Sequence, residues 1–192
     1  MQAGYTDEVL RVVKVFETSR VKYMLTGAAA VAVFGVPRPS ADIDVAVHDD
    51  RLRVLSLLKE NGFKTSQAAE DRSNLFVFDS PSGMRVDVWF TTEVLWDVKA
   101  FDRRRRIKIR DQDVWLISPE ELIARKLWRF RKERVATDLE DVRGMLSTLS
   151  ELDMDYLEEI CGVTRTLTLL RDLVSEARDL ADAKRRNRHR AS

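Results

Sequence analysis

Asp42 and Asp44 stand two residues apart in Asp42-Ile43-Asp44-Val45-Ala46-Val47, a run that is otherwise apolar. A β-strand sends residues i and i+2 to the same face. Read as a strand, this run aims both carboxylates the same way, a few Å apart. Like charges that close repel unless a cation sits between them. Hard divalent cations such as Mg2+ take oxygen pairs of this kind, keep several waters and share substrate phosphates. Upstream, Gly27 opens the small-residue run Gly27-Ala28-Ala29-Ala30. A glycine turn ahead of two close carboxylates points to a site for a metal and a nucleotide.

The elements that must position these residues follow from periodicity. Val9, Val12, Val13 and Phe16 have helical spacing, so residues 6–19 read as an amphipathic helix. Residues 21–25 read as a short strand, and Gly27 starts a second helix over 28–34, ended by Gly35 and the Pro37-Arg38-Pro39 loop. Residues 42–47 form the acid-bearing strand, and residues 50–61 a helix closed by Gly62. Strands follow at 63–66, 75–79 and 85–90, the last two joined by a Pro-Ser-Gly turn, then a hairpin of 107–110 and 114–117. From Ser118 onward the pattern is helical: 119–133, 137–148, 153–161 and 164 to about 184. The fold class is therefore α+β. The chain divides into an α+β core at 1–117, a helical region at 118–183 and a basic, disordered tail at 184–192, with the site expected between the two halves.

The ordered elements resemble the nucleotidyltransferase superfamily. Its signature is a hydrophobic residue, Gly, a small Gly or Ser, a spacer, then Asp-hydrophobic-Asp/Glu-hydrophobic. Leu25-Thr26-Gly27-Ala28, the spacer Ala29 to Ala41 and Asp42-Ile43-Asp44-Val45 occupy those positions. Phe34-Gly35-Val36-Pro37-Arg38-Pro39-Ser40 looks like the subgroup related to AbiEii-type toxins and their uncharacterised relatives. Downstream, Ser118-Pro119-Glu120-Glu121-Leu122-Ile123-Ala124-Arg125-Lys126-Leu127 looks like the helix opening that group's C-terminal half. Thr137-Asp138-Leu139-Glu140-Asp141-Val142 looks like its Asp-x-x-Asp element.

The resemblance implies a nucleotidyltransferase-type mixed sheet with flanking helices. It also implies Mg2+-dependent transfer of a nucleoside monophosphate from an NTP to an acceptor hydroxyl. Asp42 and Asp44 would hold the metal with a third carboxylate from a later strand. Met84 to Phe90 is the only later segment that reads as an apolar strand with one Asp inside, which assigns Asp87. Gly27, Ala28, Arg38 and Ser40 would face the nucleotide. Ala28 stands where a small polar residue or Gly is usual, leaving a backbone N–H to meet phosphate. Lys126 and Arg129, at i and i+3 on one helix face, would supply cations to the site, oriented by Asp138, with Asp141 tying in the next helix. Acceptor RNA, protein and small molecule all stay open. A toxin role with a cognate antitoxin, an antibiotic-type enzyme and a non-catalytic binding domain of the same fold are the alternatives.

Composition bounds the rest. The 192 residues are 44% hydrophobic and 34% charged, and 33 basic against 32 acidic side chains leave a net charge of +1, so overall charge names no partner. Distribution says more. From Phe101 to Arg134, twelve Lys or Arg face six Asp or Glu, which suits a polyanion. The Arg103 to Arg106 run is a candidate grip for RNA phosphates. Single Cys161 excludes an intrachain disulfide and a cysteine zinc cluster. No apolar run approaches the ~20 residues of a membrane span, and the N-terminus lacks a signal-type apolar core, so a cytoplasmic location is expected. The tryptophans read as packing residues.

Overall fold

The computed structural model describes residues 3–66, 74–91 and 95–190. The chain divides into two compact units, one of Met1–Ala32 with Pro37–Ser118, the other of Val33–Val36 with Pro119–Ser192.

The first unit carries helix α1 (Ala3–Thr18), strand β1 (Tyr23–Leu25), the start of α2 (Gly27–Phe34), β2 (Asp42–Val47), α3 (Arg51–Glu60), β3 (Lys64–Thr65), β4 (Leu75–Asp79), β5 (Arg85–Phe90), α4 (Leu95–Asp102), β6 (Arg105–Ile109) and β7 (Gln112–Leu116). Its described strands form one seven-stranded mixed sheet in the order β3-β4-β5-β2-β1-β7-β6. β2 runs parallel to β5 and antiparallel to β1, and β1 runs parallel to β7. The β2–β5 register pairs Asp42 with Arg85, Asp44 with Asp87, and Ala46 with Trp89. Alternation then sorts the two strands. Ile43, Val45, Val47, Val86 and Val88 are fully buried on one face. Asp42, Asp44, Arg85, Asp87 and Trp89 share the other.

Local sequence explains the boundaries. Val9, Val12, Val13 and Phe16 are fully buried, so the apolar stripe of α1 is what docks it. Asp50 caps α3 by accepting from the Arg53 N–H at 2.8 Å, and Gly62, at φ +85°, ends that helix. Helix α4 has no counterpart in the periodicity reading. Its eight residues bury Ala100 and Phe101, too short a stretch for spacing to reveal.

The second unit contains α5 (Pro119–Glu133), α6 (Ala136–Thr148), α7 (Met154–Val163) and α8 (Leu167–Arg190). Pro119 suits a first helical turn, and Glu120 and Glu121 there, with Arg131 and Lys132 at the far end, complement the helix dipole. Both glutamates are fully buried and satisfied: Glu120 accepts from the Asp153 N–H at 3.1 Å and Glu121 from the Tyr156 hydroxyl at 2.6 Å. The basic stretch expected to be disordered from 184 is instead helical through Arg190, as the continuation of α8. Its lysine and arginine content favours helix where no Gly or Pro interrupts it. Among the described residues no helix is long and apolar enough to cross a membrane.

Candidate active site

The carboxylate face of β2 and β5 is built by three local decisions. First, β1 ends at Leu25 and the Thr26 N–H donates to the Asp44 carbonyl at 3.0 Å, which pulls the start of α2 over the strand. Second, Gly27 turns the chain there with φ +56°. A Cβ built on Gly27 would stand 2.0 Å from Asp44 Oδ2, so glycine is required both by its conformation and by contact with the carboxylate. Third, the parallel register sets Asp87 directly beside Asp44 on the same face.

Each acid has a defined partner. Ser40 Oγ donates to Asp42 Oδ1 at 2.7 Å. Trp89 Nε1 donates to Asp44 Oδ1 at 3.3 Å. Arg85 forks onto Asp87, Nε to Oδ1 at 2.6 Å and Nη2 to Oδ2 at 2.9 Å. The Asp87 hydrogen bonds raise the Arg85 pKa above its ordinary value, with the charges of Asp42 and Asp44 adding to the effect. Tyr5, on α1, donates its hydroxyl to the Asp42 carbonyl at 3.1 Å. Burial, then the charges of Asp44 and Asp42, push its phenol well above the usual range, against an opposing effect of Arg38.

Beside these acids lies a pocket of about 260 Å3 lined by Tyr5, Ala28, Ala32, Pro37, Arg38, Pro39 and Ser40. Ala28, Arg38 and Ser40, singled out from the sequence for the nucleotide, thus line one space next to Asp42. Arg38 Nη1 also reaches the Pro39 carbonyl at 3.3 Å.

Among the described residues no group of three or more His, Cys, Asp or Glu side chains is arranged to hold a metal ion. Both oxygens of Asp87 accept from Arg85. Asp42 and Asp44 still supply the hard-oxygen pair that Mg2+ accepts when phosphates complete its shell. The donor chemistry of Asp42 and Asp44 fits a divalent cation.

Lys126 and Arg129 belong to the helical unit. Lys126 is only 5% exposed, and its Nζ lies 3.1 Å from Asp138 Oδ1 and 2.7 Å from Asp141 Oδ2. Arg129 forks onto Asp138 at 2.5 and 2.6 Å. Asp138 and Asp141 therefore engage these cations and join α5 to α6. Asp138 lies inside the first turn of α6; the cap position is Val135.

The Arg103 to Arg106 run is divided in use. The Arg104 guanidinium lies over the Trp115 ring at 4.3 Å and donates to the Phe101 carbonyl at 2.8 Å. Arg106 pairs with Asp113 at 2.9 Å.

Sequence reading missed Tyr5, Arg85 and Trp89. For Arg85 and Trp89 the signal was present, since alternation places both on the face of Asp87. Trp89, read as packing, instead holds a carboxylate. Tyr5 had no local signal, as it lies 37 residues from Asp42.

The model of a family described as uncharacterised nucleotidyltransferases matches residues 2–181. No protein of curated function matches the chain in sequence. Among solved structures, the crystal structure of ANT(2")-Ia in complex with adenylyl-2"-tobramycin is similar at a TM-score of 0.62 and 14% identity, covering 85% of this chain and 98% of that one. An antigenic nucleotidyltransferase-like protein from Paracoccidioides brasiliensis is similar at 0.60 and 18% identity, covering 95% and 93%. The lincosamide antibiotic adenylyltransferase LnuA, lincomycin-bound, is similar at 0.56 and 16% identity, covering 74% and 97%. At these identities the likeness is one of fold.

Proposed function

The chain belongs to the family of uncharacterised nucleotidyltransferases, and we propose that it transfers a nucleoside monophosphate from an NTP, ATP in the first instance, to an acceptor hydroxyl. The observation that carries this reading is the register of Asp44 with Asp87 on one sheet face, with Gly27 seated against Asp44. In the reaction the acceptor oxygen bonds to the α-phosphorus, the bond to the α–β bridging oxygen breaks, pyrophosphate leaves, and the hydroxyl proton passes to a carboxylate or water. Mg2+ held by Asp42 and Asp44, with Asp87, would supply neutralisation of the phosphate charge.

The chain's own groups do the positioning on which phosphoryl chemistry depends. Ser40 and Trp89 fix the Asp42 and Asp44 carboxylates by their hydrogen bonds. Gly27, lacking Cβ, lets a phosphate approach the backbone, and Ala28 offers its N–H at the positive end of α2. Arg38 adds a cation in the adjoining pocket. Asp87 is the group proposed to receive the acceptor proton. Lys126 and Arg129 are held by Asp138 and Asp141 within the helical unit, and a role for them on phosphate is a separate question that Lys126→Ala tests.

For the acceptor, the basic β6–β7 hairpin favours RNA, in keeping with an AbiEii-like toxin restrained by an antitoxin. A second reading is a small-molecule acceptor, favoured by the likeness of fold to antibiotic adenylyltransferases. Incubation with each α-labelled NTP, Mg2+ and a cell lysate tests the proposal. The expected result is label on one class of acceptor with release of pyrophosphate, absent with Asp44→Asn. Lack of any labelling or pyrophosphate with all four NTPs would leave a nucleotide-binding domain without turnover.

A further inference from the structure

We propose that Arg85 is a displaceable counter-ion in the third metal position of the carboxylate face, so that Asp87 becomes a ligand only after the guanidinium leaves it. The inference rests on the metal-site reading above. The fork from Arg85 consumes both oxygens of Asp87, at 2.6 and 2.9 Å. The Asp87 side chain is 8% exposed, and a carboxylate that buried needs a charged partner. Register also sets Arg85 beside Asp42 on the shared face, where the charges of Asp42 and Asp44 act on it as well.

Arg85 itself is built to leave. Its side chain is 47% exposed, it starts the strand, and its long stem swings without moving backbone. A guanidinium and a divalent cation cannot both sit against Asp87 without strong repulsion. A triphosphate offers Arg85 pairs of anionic oxygens that its fork can take bidentately, as it takes the carboxylate now. Nucleotide arrival thus draws Arg85 off Asp87 and opens the third oxygen ligand in the same event. Without nucleotide, a cation is held by Asp42 and Asp44 alone.

Mn2+ titration followed by electron paramagnetic resonance of the unbound ion tests this, with and without the non-reacting analogue α,β-methylene ATP. Without nucleotide, Arg85→Ala should bind Mn2+ at least about tenfold tighter than the parent, because a neighbouring positive charge has gone. Adding the analogue should tighten Mn2+ binding far more in the parent than in Arg85→Ala. Arg85→Lys, which keeps the charge without the fork, should fall between them, and it also serves if the alanine variant melts early. Asp44→Asn reports the site itself. If Arg85→Ala binds Mn2+ like the parent while Asp44→Asn loses it, the counter-ion role is overturned and the metal face stands. If neither parent nor variants bind Mn2+ with or without the analogue, the metal reading falls and this proposal with it.

Discussion

Gly27 and Asp44 exclude any side chain between them: a Cβ on Gly27 would lie 2.0 Å from Asp44 Oδ2 and 2.9 Å from Asp44 Cβ. The backbone there is also left-handed, at φ +56°, which alone costs a non-glycine residue roughly 1–2 kcal/mol. Gly27→Ala should therefore lower the unfolding free energy by about 2–3 kcal/mol, measured by urea denaturation. Mn2+ binding should weaken as well, because the only relief open to the methyl is to push the Asp44 carboxylate out of line.

Asp44→Asn separates chemistry from stability. The amide oxygen still accepts from Trp89 Nε1, a contact of 3.3 Å in the parent, and one of three neighbouring negative charges is removed. Stability should stay within about 1 kcal/mol of the parent. Transfer should fall at least about a hundredfold, the scale of a lost electrostatic group at a reacting centre. Paired thermal melts and pyrophosphate-release rates give both numbers. A large loss of stability with retained turnover would make Asp44 a structural residue.

Those two residues were legible in the sequence because both belong to short-range patterns, a glycine opening a small-residue helix and a period-two acid pair. Most of the helices and strands were legible for the same reason, and seven strands with helical flanks agree with the α+β reading. What sequence withheld is pairing. That β5 lies parallel beside β2, with Arg85 level with Asp42, depends on assembly of the whole sheet from strands distant in sequence. Tyr5 reaches Asp42 only because α1 packs there. Helix α4 is held by burial of Ala100 and Phe101, which tertiary structure decides. Lys126 read as a cation aimed at phosphate, and nothing local revealed how deeply two aspartates bury it.

Lys126→Ala tests that burial. It leaves Asp138 and Asp141, at 0% and 3% side-chain exposure, without the ammonium that lies between them. Breaking one side of a buried ion pair costs about 3–5 kcal/mol. The expected result is a loss of that size in chemical denaturation. NTP affinity is measured in the same preparation. A variant as stable as the parent but with weaker, salt-sensitive NTP binding would put Lys126 on phosphate instead.

Tyr5 gives the chain an alkaline signature. Its folded phenol titrates above the ordinary value of about 10, first through burial and then through Asp44 and Asp42. Above that value the unfolded chain releases the proton while the native chain keeps it, so the unfolded state binds fewer protons and stability falls as pH rises. The contribution is whole below about pH 10 and is lost above it. Tyr23, raised mainly by burial, acts with the same sign. Tyr5→Phe should start less stable at neutral pH, by about 1 kcal/mol for the lost hydrogen bond to the Asp42 carbonyl. Its melting temperature should then decline less steeply than the parent's between about pH 9.5 and 11.

The RNA reading of the acceptor is tested at the β6–β7 hairpin. Arg106 and Lys108 lie in register with Trp115 and Asp113 on one face of this sheet edge. Arg104 is stacked on the same tryptophan at 4.3 Å, so its replacement removes packing as well as charge and reads poorly as an RNA test. Arg104→Ala should cost about 1 kcal/mol of stability from the lost ring contact. Arg106→Ala with Lys108→Ala is the cleaner pair: both side chains are exposed, and besides charge Arg106 gives up its Asp113 ion pair and a more distant contact with the Trp115 ring, at 5.6 Å. Phosphate contacts release counterions, so each one lost should flatten the salt dependence of single-stranded RNA binding by about 0.7 in log–log slope. The double variant should bind RNA more weakly at low salt, with a shallower slope by fluorescence anisotropy, while ATP affinity holds. RNA binding equal to the parent's would remove RNA as acceptor and favour a small molecule.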